Sequence, residues 1–122
     1  MNMLDKIPTK YITQIFQTGS SIICNPPILN TDIDYCILTP NLDIFDDIIT
    51  KIGFITLDNE DYLEVGKFVS YRYGKYNLIV TDNREFFFKF KNATDIAKAL
   101  NLLKKEDRVI LFQYILYDKL PL

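Results

Sequence analysis

The chain has 122 residues, of which 48% are apolar and 25% are charged, and its formal net charge is −2. This size and balance predict one globular domain over residues 1–122. They exclude a disordered chain or a strongly basic nucleic-acid binder, although a local basic patch remains allowed. The sequence has no histidine, which excludes Ser-His-Asp and Cys-His catalysis and argues against a typical zinc site.

The apolar runs are far shorter than a membrane span, and the N-terminal stretch MNMLDKIPTKY lacks the apolar core of a signal peptide. We therefore expect a cytoplasmic protein that does not contact membranes. Cys24 and Cys36 fall on neighbouring predicted strands. In that compartment they are expected to be reduced core residues, with a disulfide as the alternative.

The first predicted element is a helix over residues 9–17, where Ile12, Ile15 and Phe16 recur at helical spacing. Gly19 ends this helix. The other predicted elements are a strand from Ser21 stopped by Pro26 and Pro27, a strand over 32–38, a helix between the cap residue Asn41 and Gly53, a strand from Phe54, a hairpin over 67–81 with Gly74 and Lys75 in its turn, and helices near 84–90, 93–101 and 104–118. This order predicts an α+β fold, in which helices cover mainly one face of a mixed β-sheet.

Two aspartates begin the predicted strand DIDYCIL. Because strand side chains alternate between faces, Asp32 and Asp34 lie on the same face, about 7 Å apart at a rise of roughly 3.3 Å per residue. Two carboxylates at this separation can converge on one hard cation, and Mg²⁺ prefers carboxylate oxygens together with substrate phosphates. The alternative is a pair of solvated aspartates at an exposed strand start.

Gly19 and Ser20 stand at a turn, with eleven residues between Ser20 and Asp32. A glycine at such a turn lets backbone amides approach a phosphate, and the serine hydroxyl can add a hydrogen bond. The pattern Gly-Ser, about a dozen residues, then Asp-Ile-Asp resembles the motif of the DNA polymerase β-type nucleotidyltransferase superfamily. Minimal stand-alone members, which include antitoxin partners of HEPN toxins, are of similar size. The C-terminal half, from YRYGKYNLIVTDNREFF onward, also resembles small phage-encoded nucleotidyltransferase-like proteins.

The resemblance implies a role for each residue that matches the motif. Gly19 and Ser20, with the adjacent Ser21, would hold the phosphates of a nucleoside triphosphate. Asp32 and Asp34 would ligate Mg²⁺ and would be catalytic. The superfamily normally adds a third carboxylate from a later strand, which completes a second metal site and can help to deprotonate the attacking hydroxyl. The implied reaction is transfer of a nucleotidyl group with loss of pyrophosphate.

The third carboxylate is missing from its expected place, because the strand YNLIV has Asn77 there. Asn77 can offer a neutral oxygen to a metal or orient a hydroxyl, but it is not a general base. Asp82 would lie about 16 Å along the strand and on the other face at that same rise, and it is better explained as a helix cap. Asp61 and Glu64 are remote substitutes.

Arg72 flanks the hairpin turn and could contact a phosphate or an acidic acceptor. The alternative is a solvated charge on an edge strand, which protects against aggregation. Lys104, Lys105 and Arg108 cluster at a predicted helix start. They could contact RNA or a protein, although a solvated helix face is the simpler interpretation.

The stretch EFFFKF supplies four phenylalanines within five positions: Phe86, Phe87, Phe88 and Phe90. Helical spacing can bury only part of this set in a domain of this size. An exposed member would indicate a surface for a partner or a homodimer.

The residues and the resemblance together lead to a Mg²⁺-dependent nucleotidyltransferase. Its substrate would be a nucleoside triphosphate, and its acceptor a hydroxyl on a small molecule, an RNA end or a protein. The absence of an acidic residue at Asn77 supports an alternative of another class. This is a catalytically degenerate binding or inhibitor module, such as a phage protein or an antitoxin-like partner. A purely structural domain with solvated aspartates is the third possibility.

Overall fold

The computed structural model describes residues 3–26, 32–57 and 68–118. Two short 3₁₀ helices, Met3–Lys6 and Thr9–Tyr11, precede the first strand. The strands and α-helices that follow are β1 (Gln14–Thr18), α1 (Ser20–Ile23), β2 (Ile33–Leu38), α2 (Leu42–Ile52), β3 (Ile55–Leu57), β4 (Val69–Tyr73), β5 (Tyr76–Thr81), α3 (Arg84–Ala99) and α4 (Lys105–Tyr117).

The five strands form one mixed sheet in the order β1-β2-β5-β4-β3. Strands β2 and β5 pair in parallel, whereas β1 with β2, β5 with β4, and β4 with β3 are antiparallel. The two parallel strands, β2 and β5, therefore begin at the same end of the sheet, where β1 and β4 end. This arrangement places the start of β2 and the start of β5 side by side.

Helices lie on both faces of the sheet. Helices α1, α3 and α4 share one face, and their buried side chains pack against Cys36 and Leu38 of β2. Helix α2 covers the other face, where Phe45 and Ile49 pack against Leu78 of β5. Three of the four α-helices in the described part of the chain thus occupy one face, which confirms the predicted α+β architecture.

The helix predicted over residues 9–17 is wrong. Residues Gln14–Thr18 form the edge strand β1, which pairs with Asp34 to Leu38 of β2. Phe16 packs against Phe87 of α3, whereas Ile15 is 39% exposed. A short apolar run fits either period, and here pairing with β2 determines the strand.

The strand predicted from Ser21 is also wrong, because Ser20–Ile23 form the short helix α1. Ile23 and Cys24 are buried against α3 and α4. The turn at Gly19 therefore leads from a strand into a helix, the reverse of the predicted direction. Although the elements on both sides of Gly19 differ from the predicted ones, Gly19 still lies at a turn between two elements.

The C-terminal helices are fewer than predicted, since the proposed break near residue 91 is absent from α3. Glu85–Lys89 and Lys91–Asp95 ion pairs at i,i+4 spacing run along its exposed side. Elsewhere the sequence-based prediction is confirmed. Helix α2 has Asn41 as its N-cap and ends at Gly53, and β4 and β5 form a hairpin around Gly74.

Candidate functional site

Four polar side chains form a row across adjacent strands. The strand register pairs Thr18 with Asp34, Asp34 with Asn77, and Asn77 with Arg72. Residues that are directly paired point to the same face of a sheet. The row lies on the face that carries α1, α3 and α4, at the end where β2 and β5 begin. Asp34 and Asn77, the candidate site residues of β2 and β5, therefore lie side by side.

The Asn77 amide joins the two aspartates. Its Nδ2 donates hydrogen bonds to Asp32 Oδ2 at 3.1 Å and to Asp34 Oδ1 at 3.0 Å. Two carboxylate oxygens from different residues thus converge on one donor atom. Asp32, which directly precedes β2, and Asp34 within β2 thus direct their carboxylates to one point.

Arg72 links Asp32 and Asn77 into one hydrogen-bonded network. Its Nη2 pairs with Asp32 Oδ1 at 2.7 Å, its Nη1 donates to Asn77 Oδ1 at 3.3 Å, and its Nε donates to the Gly74 carbonyl at 3.0 Å. The Arg72 and Asp32 side chains are each 38% exposed. Strand β4 lies between β5 and β3, so the alternative of a solvated edge-strand charge at Arg72 is wrong.

Gly19 brings the backbone against the aspartates. Its φ is 81° and its ψ is −179°, a conformation essentially restricted to glycine. A Cβ built at this position would overlap the Asp34 carboxylate. The turn after β1 therefore lies directly against the Asp34 carboxylate.

The two serines after Gly19 differ in their surroundings. Ser20 is the first residue of α1 and is partly exposed beside the Gly19 turn. Ser21 accepts a hydrogen bond on Oγ from Gln17 Nε2 at 3.3 Å. The hydroxyl of Ser21 is therefore already engaged by β1, whereas Ser20 directly follows the residue that touches Asp34.

The carboxyl group of Asp34 has a perturbed pKa. Burial raises the pKa of Asp34 from 3.8 to about 6, and repulsion from Asp32 adds to the rise, whereas the Asn77 hydrogen bond and the Arg72 charge oppose it. Burial disfavours the charged form of a carboxyl group, and a like charge nearby does the same. Asp34 therefore holds its proton to a higher pH than an ordinary aspartate does.

Two contacts that the sequence did not predict fix the Gly19 turn and α1 onto α3. The hydroxyl of Thr18 hydrogen-bonds the hydroxyl of Thr94 at 2.8 Å in a buried position. At the other end of α1, Asn101 Oδ1 accepts from the Asn25 backbone N–H at 2.9 Å, and its Nδ2 donates to the Asn25 carbonyl at 3.0 Å. These pairs span about 76 residues of sequence, and no local pattern reveals them.

Arg108 does not belong to the solvated basic cluster proposed with Lys104 and Lys105. Its Nη1 donates to the carbonyl of Leu102 at 3.0 Å and to that of Leu103 at 2.9 Å, and it approaches Cys24 Sγ at 3.4 Å. Arg108 therefore ties the α3–α4 connection to the end of α1. The other two basic residues remain exposed.

The substitutes for a third carboxylate lie elsewhere or cannot be placed. Asp82 Oδ2 accepts a hydrogen bond from the Leu42 N–H at the start of α2, at 3.3 Å. Asn83 is the residue that caps α3, through its contact with Phe86 N. Asp61 and Glu64 lie outside the described residues. In the described part of the chain, the site therefore has two carboxylates, Asp32 and Asp34, and the amide of Asn77.

The oxygen donors of this site are two carboxylates and one amide. Among residues 3–26, 32–57 and 68–118, no group of three or more His, Cys, Asp or Glu side chains could hold a metal ion. Asp32 and Asp34 nevertheless present two carboxylate oxygens that converge on Asn77 Nδ2, whereas the Asn77 amide oxygen accepts from Arg72 Nη1. Mg²⁺ is commonly bound through one or two carboxylates, with substrate phosphates and waters completing its shell.

The exposed surface carries one member of the phenylalanine cluster. Phe86, Phe87 and Phe90 are buried, and Phe88 is 42% exposed. The sequence-based expectation of a homodimer or partner surface therefore has Phe88 as its candidate residue. Within the described ranges, no helix has both the length and the apolarity that a bilayer crossing requires.

The mixed five-stranded sheet with helices on both faces is an α+β fold, consistent with a nucleotidyltransferase-like fold. The crystal structure of the conserved protein GrpB from Enterococcus faecalis is similar, with a TM-score of 0.53. The match covers 92% of this chain and 81% of that chain, at 14% sequence identity, so it shows the fold alone. No protein-family model and no curated protein matches the chain.

Proposed function

We propose that this chain binds a Mg²⁺–nucleoside triphosphate complex and transfers a nucleotidyl group to a hydroxyl acceptor. The observation that carries the proposal is the convergence of Asp32 Oδ2 and Asp34 Oδ1 on one atom, at 3.1 and 3.0 Å. Beside them, the Gly19 backbone is in contact with the Asp34 carboxylate. A pair of converging carboxylates next to a glycine turn suits a metal–phosphate complex better than an isolated pair would.

Each residue has a defined part in this proposal. Asp32 and Asp34 would hold the cation, which when bound neutralises phosphate oxygens and orients the triphosphate. Gly19 and Ser20 would contact the phosphates through backbone N–H groups and the serine hydroxyl. The acceptor oxygen would bond to the α-phosphorus while the bond from that phosphorus to the bridging oxygen of pyrophosphate breaks. Arg72 supplies a positive charge beside the leaving phosphates.

A second candidate function follows from Asn77. The amide lies in the row beside Asp34, and its nitrogen is turned toward both carboxylates. An amide cannot accept the proton of the attacking hydroxyl, so that proton would have to pass to solvent or to the substrate. Asn77 therefore favours a nucleotide-binding module with slow or absent transfer, such as an inhibitor or an antitoxin-like partner.

The acceptor and the partners are proposals of the same kind. The hydroxyl could belong to a small molecule, an RNA end or a protein. A second copy of the chain could help to bind it, with Phe88 as one candidate contact. The net charge of −2 gives no general attraction for nucleic acid, which makes RNA the least supported of the three acceptors.

Nucleotide binding is tested by calorimetric titration with ATP, GTP, CTP and UTP, with and without Mg²⁺. We expect Mg²⁺-dependent binding of at least one nucleotide by the wild-type chain, and loss of that binding in Asp32→Ala/Asp34→Ala. Asp43→Ala/Asp47→Ala is the matched control, because it removes two exposed carboxylates from α2 and changes net charge equally. Failure of the wild-type chain to bind any of the four nucleotides would overturn the proposal.

Release of pyrophosphate separates the two candidate functions. With a bound nucleotide and candidate acceptors present, a nucleotidyltransferase releases pyrophosphate, and mass spectrometry detects the nucleotidylated acceptor. The binding module retains the intact triphosphate over the same time. Asp32→Ala/Asp34→Ala sets the background for both measurements.

A further inference from the structure

Both carboxylate oxygens of Asp32 are engaged by protein donors. Oδ1 pairs with Arg72 Nη2 at 2.7 Å, and Oδ2 accepts from Asn77 Nδ2 at 3.1 Å. A cation that binds Asp32 therefore competes with the Arg72 guanidinium for the same carboxylate. The two positive charges cannot share that short contact without repulsion.

Arg72 is held in this position by more than the ion pair. Its Nη1 contacts the Asn77 amide oxygen and its Nε contacts the Gly74 carbonyl. The guanidinium plane thus presents three nitrogens to three acceptors on one hairpin and one neighbouring strand. Because these contacts already fix the guanidinium, little side-chain entropy is lost when it pairs with Asp32.

We infer that Arg72 couples the binding of metal to the binding of nucleotide: it competes with a divalent cation for Asp32, and a nucleotide phosphate gives the released guanidinium a new partner. This inference rests on the proposed function and adds a regulatory role for one residue of the same site. A metal at Asp32 Oδ2 repels the guanidinium at Oδ1 and weakens its pair with Asp32, which leaves the Arg72 charge less compensated. Metal together with a triphosphate avoids that cost, because guanidinium binds phosphate oxygens as well as carboxylates.

Linkage makes the coupling reciprocal. If nucleotide raises the affinity for metal by some factor, metal raises the affinity for nucleotide by the same factor. Arg72→Gln removes the competing charge and also the phosphate partner. The substitution should therefore act with opposite sign on two constants, tightening the binding of metal alone and weakening the binding of nucleotide in the presence of metal.

The test begins with the metal alone. Titration of Mn²⁺ into the full chain, followed by electron paramagnetic resonance of the free ion, gives the affinity without nucleotide. An exposed ion pair is worth little, so we expect Arg72→Gln to bind Mn²⁺ about three- to tenfold more tightly than wild type. Lys75→Gln is the matched control, since Lys75 is an exposed cation three positions away and should change this affinity much less.

The second arm repeats the Mn²⁺ titration with a saturating non-hydrolysable nucleoside triphosphate. The increase in Mn²⁺ affinity that the nucleotide causes should be smaller in Arg72→Gln than in wild type or Lys75→Gln. Arg72→Lys retains the charge but loses the fork, so its coupling should fall between the two. Circular dichroism melting of each variant shows whether it is folded before either titration.

The outcomes separate this inference from the proposed function. Weaker or unchanged Mn²⁺ binding by folded Arg72→Gln would overturn the competition, whatever the nucleotide does. An unchanged coupling factor would overturn the role of Arg72 as the link. If nucleotide does not bind wild type at all, the proposed function fails and the coupling fails with it, but the first arm still reports on the competition for Asp32.

Discussion

Asn77 lies directly beside Asp34 on the neighbouring parallel strand, with its amide nitrogen 3.0 Å from an Asp34 carboxylate oxygen. The same nitrogen is 3.1 Å from Asp32. The place in the row where the nucleotidyltransferase motif leads one to expect an acid thus holds a hydrogen-bond donor. Asn77 therefore helps to hold the two carboxylates together, but it cannot accept a proton as a carboxylate at this position could.

Replacing this amide by an acid gives the first prediction. Asn77→Asp should destabilise the chain by about 1–3 kcal/mol in EDTA, because two hydrogen bonds are lost and a third like charge is added. Mg²⁺ should then raise the melting temperature more than it does in wild type, since the cation relieves that repulsion. Differential scanning calorimetry with EDTA and with Mg²⁺ measures both effects.

Asn77→Ala is the control for this substitution, because it removes the donor without adding a charge. It should be destabilised in EDTA but should gain no extra stabilisation from Mg²⁺. Pyrophosphate release by Asn77→Asp above the wild-type rate would show that the missing acid limits transfer. An Asn77→Asp variant that Mg²⁺ stabilises no more than wild type would contradict the metal-binding role of the row.

The second prediction concerns pH. The pKa of Asp34 is about 6 in the folded chain and 3.8 is its ordinary value, so between these values the folded state binds a proton that the unfolded state has lost. Stability from this group is therefore greatest near pH 4 and falls as pH rises to about 6. With allowance for partial exposure, the loss is about 2 kcal/mol.

Asp34→Asn isolates this effect from other titrating groups. In EDTA, the variant should match wild type near pH 4 and should exceed it in free energy of unfolding by about 2 kcal/mol at pH 7. Urea unfolding at pH 4, 5, 6 and 7 gives the difference. Asp43→Asn, on the exposed side of α2, should show no such pH-dependent difference. A constant offset between Asp34→Asn and wild type would contradict the raised pKa.

The paired aspartates were predictable because their placement depends on local geometry alone. The period of two along β2 puts Asp32 and Asp34 on one face wherever that strand lies in the sheet. Helix α2 was equally predictable, since Asn41, Gly53 and one apolar stripe agree on its bounds. The local sequence therefore specifies an element when its cap residue, its apolar periodicity and its terminating residue agree within a dozen residues.

The elements around Gly19 were not predictable for the opposite reason. Residues Gln14–Thr18 are a strand because β2 offers a pairing edge, and Ser20–Ile23 are a helix because the turn delivers them onto α3. The local sequence patterns of these two segments fit a helix as well as a strand. The contact of Arg72 with Asp32 likewise depends on β4, β5 and β2 being adjacent, which is a property of sheet order rather than of spacing.

Gly19 supplies the third prediction. Gly19→Ala should destabilise the chain by more than about 2 kcal/mol, because alanine is strained at this φ and its Cβ would overlap Asp34. Gly74→Ala is the matched control: its φ is also positive, at 57°, but a Cβ there meets nothing within 4 Å. It should cost about 1 kcal/mol from backbone strain alone.

A double-mutant cycle separates overlap from strain. In an Asp34→Ala background the two carboxylate atoms nearest to the Gly19 Cβ position are gone, so Gly19→Ala should cost less than in wild type. The difference between the two backgrounds measures the overlap. Urea unfolding of the four chains provides it. An equal cost in both backgrounds would show that Gly19 does not press against Asp34.

The fourth prediction tests whether the far end of α1 supports the site. Asn101 has a positive φ of 49° and makes two hydrogen bonds with the Asn25 backbone. Asn101→Gly keeps the backbone conformation and loses both bonds, which should cost about 1 kcal/mol at this exposure. Asn101→Ala loses the bonds and adds backbone strain, for about 2 kcal/mol in total.

Nucleotide titration of the same variants distinguishes a positioning role from a purely structural one. Because Asn25 follows Cys24, the C-cap of α1, and Gly19 directly precedes that helix, a loosened Asn25 should displace the turn. Mg²⁺–nucleotide binding should then weaken several-fold in both variants at temperatures where they are fully folded. Asn92→Ala, an exposed change within α3, should leave that affinity unaltered. Unchanged affinity in folded Asn101→Gly would confine Asn101 to stability, whereas a loss there, without a change in the fold by circular dichroism, identifies it as a positioning residue for the Gly19 turn.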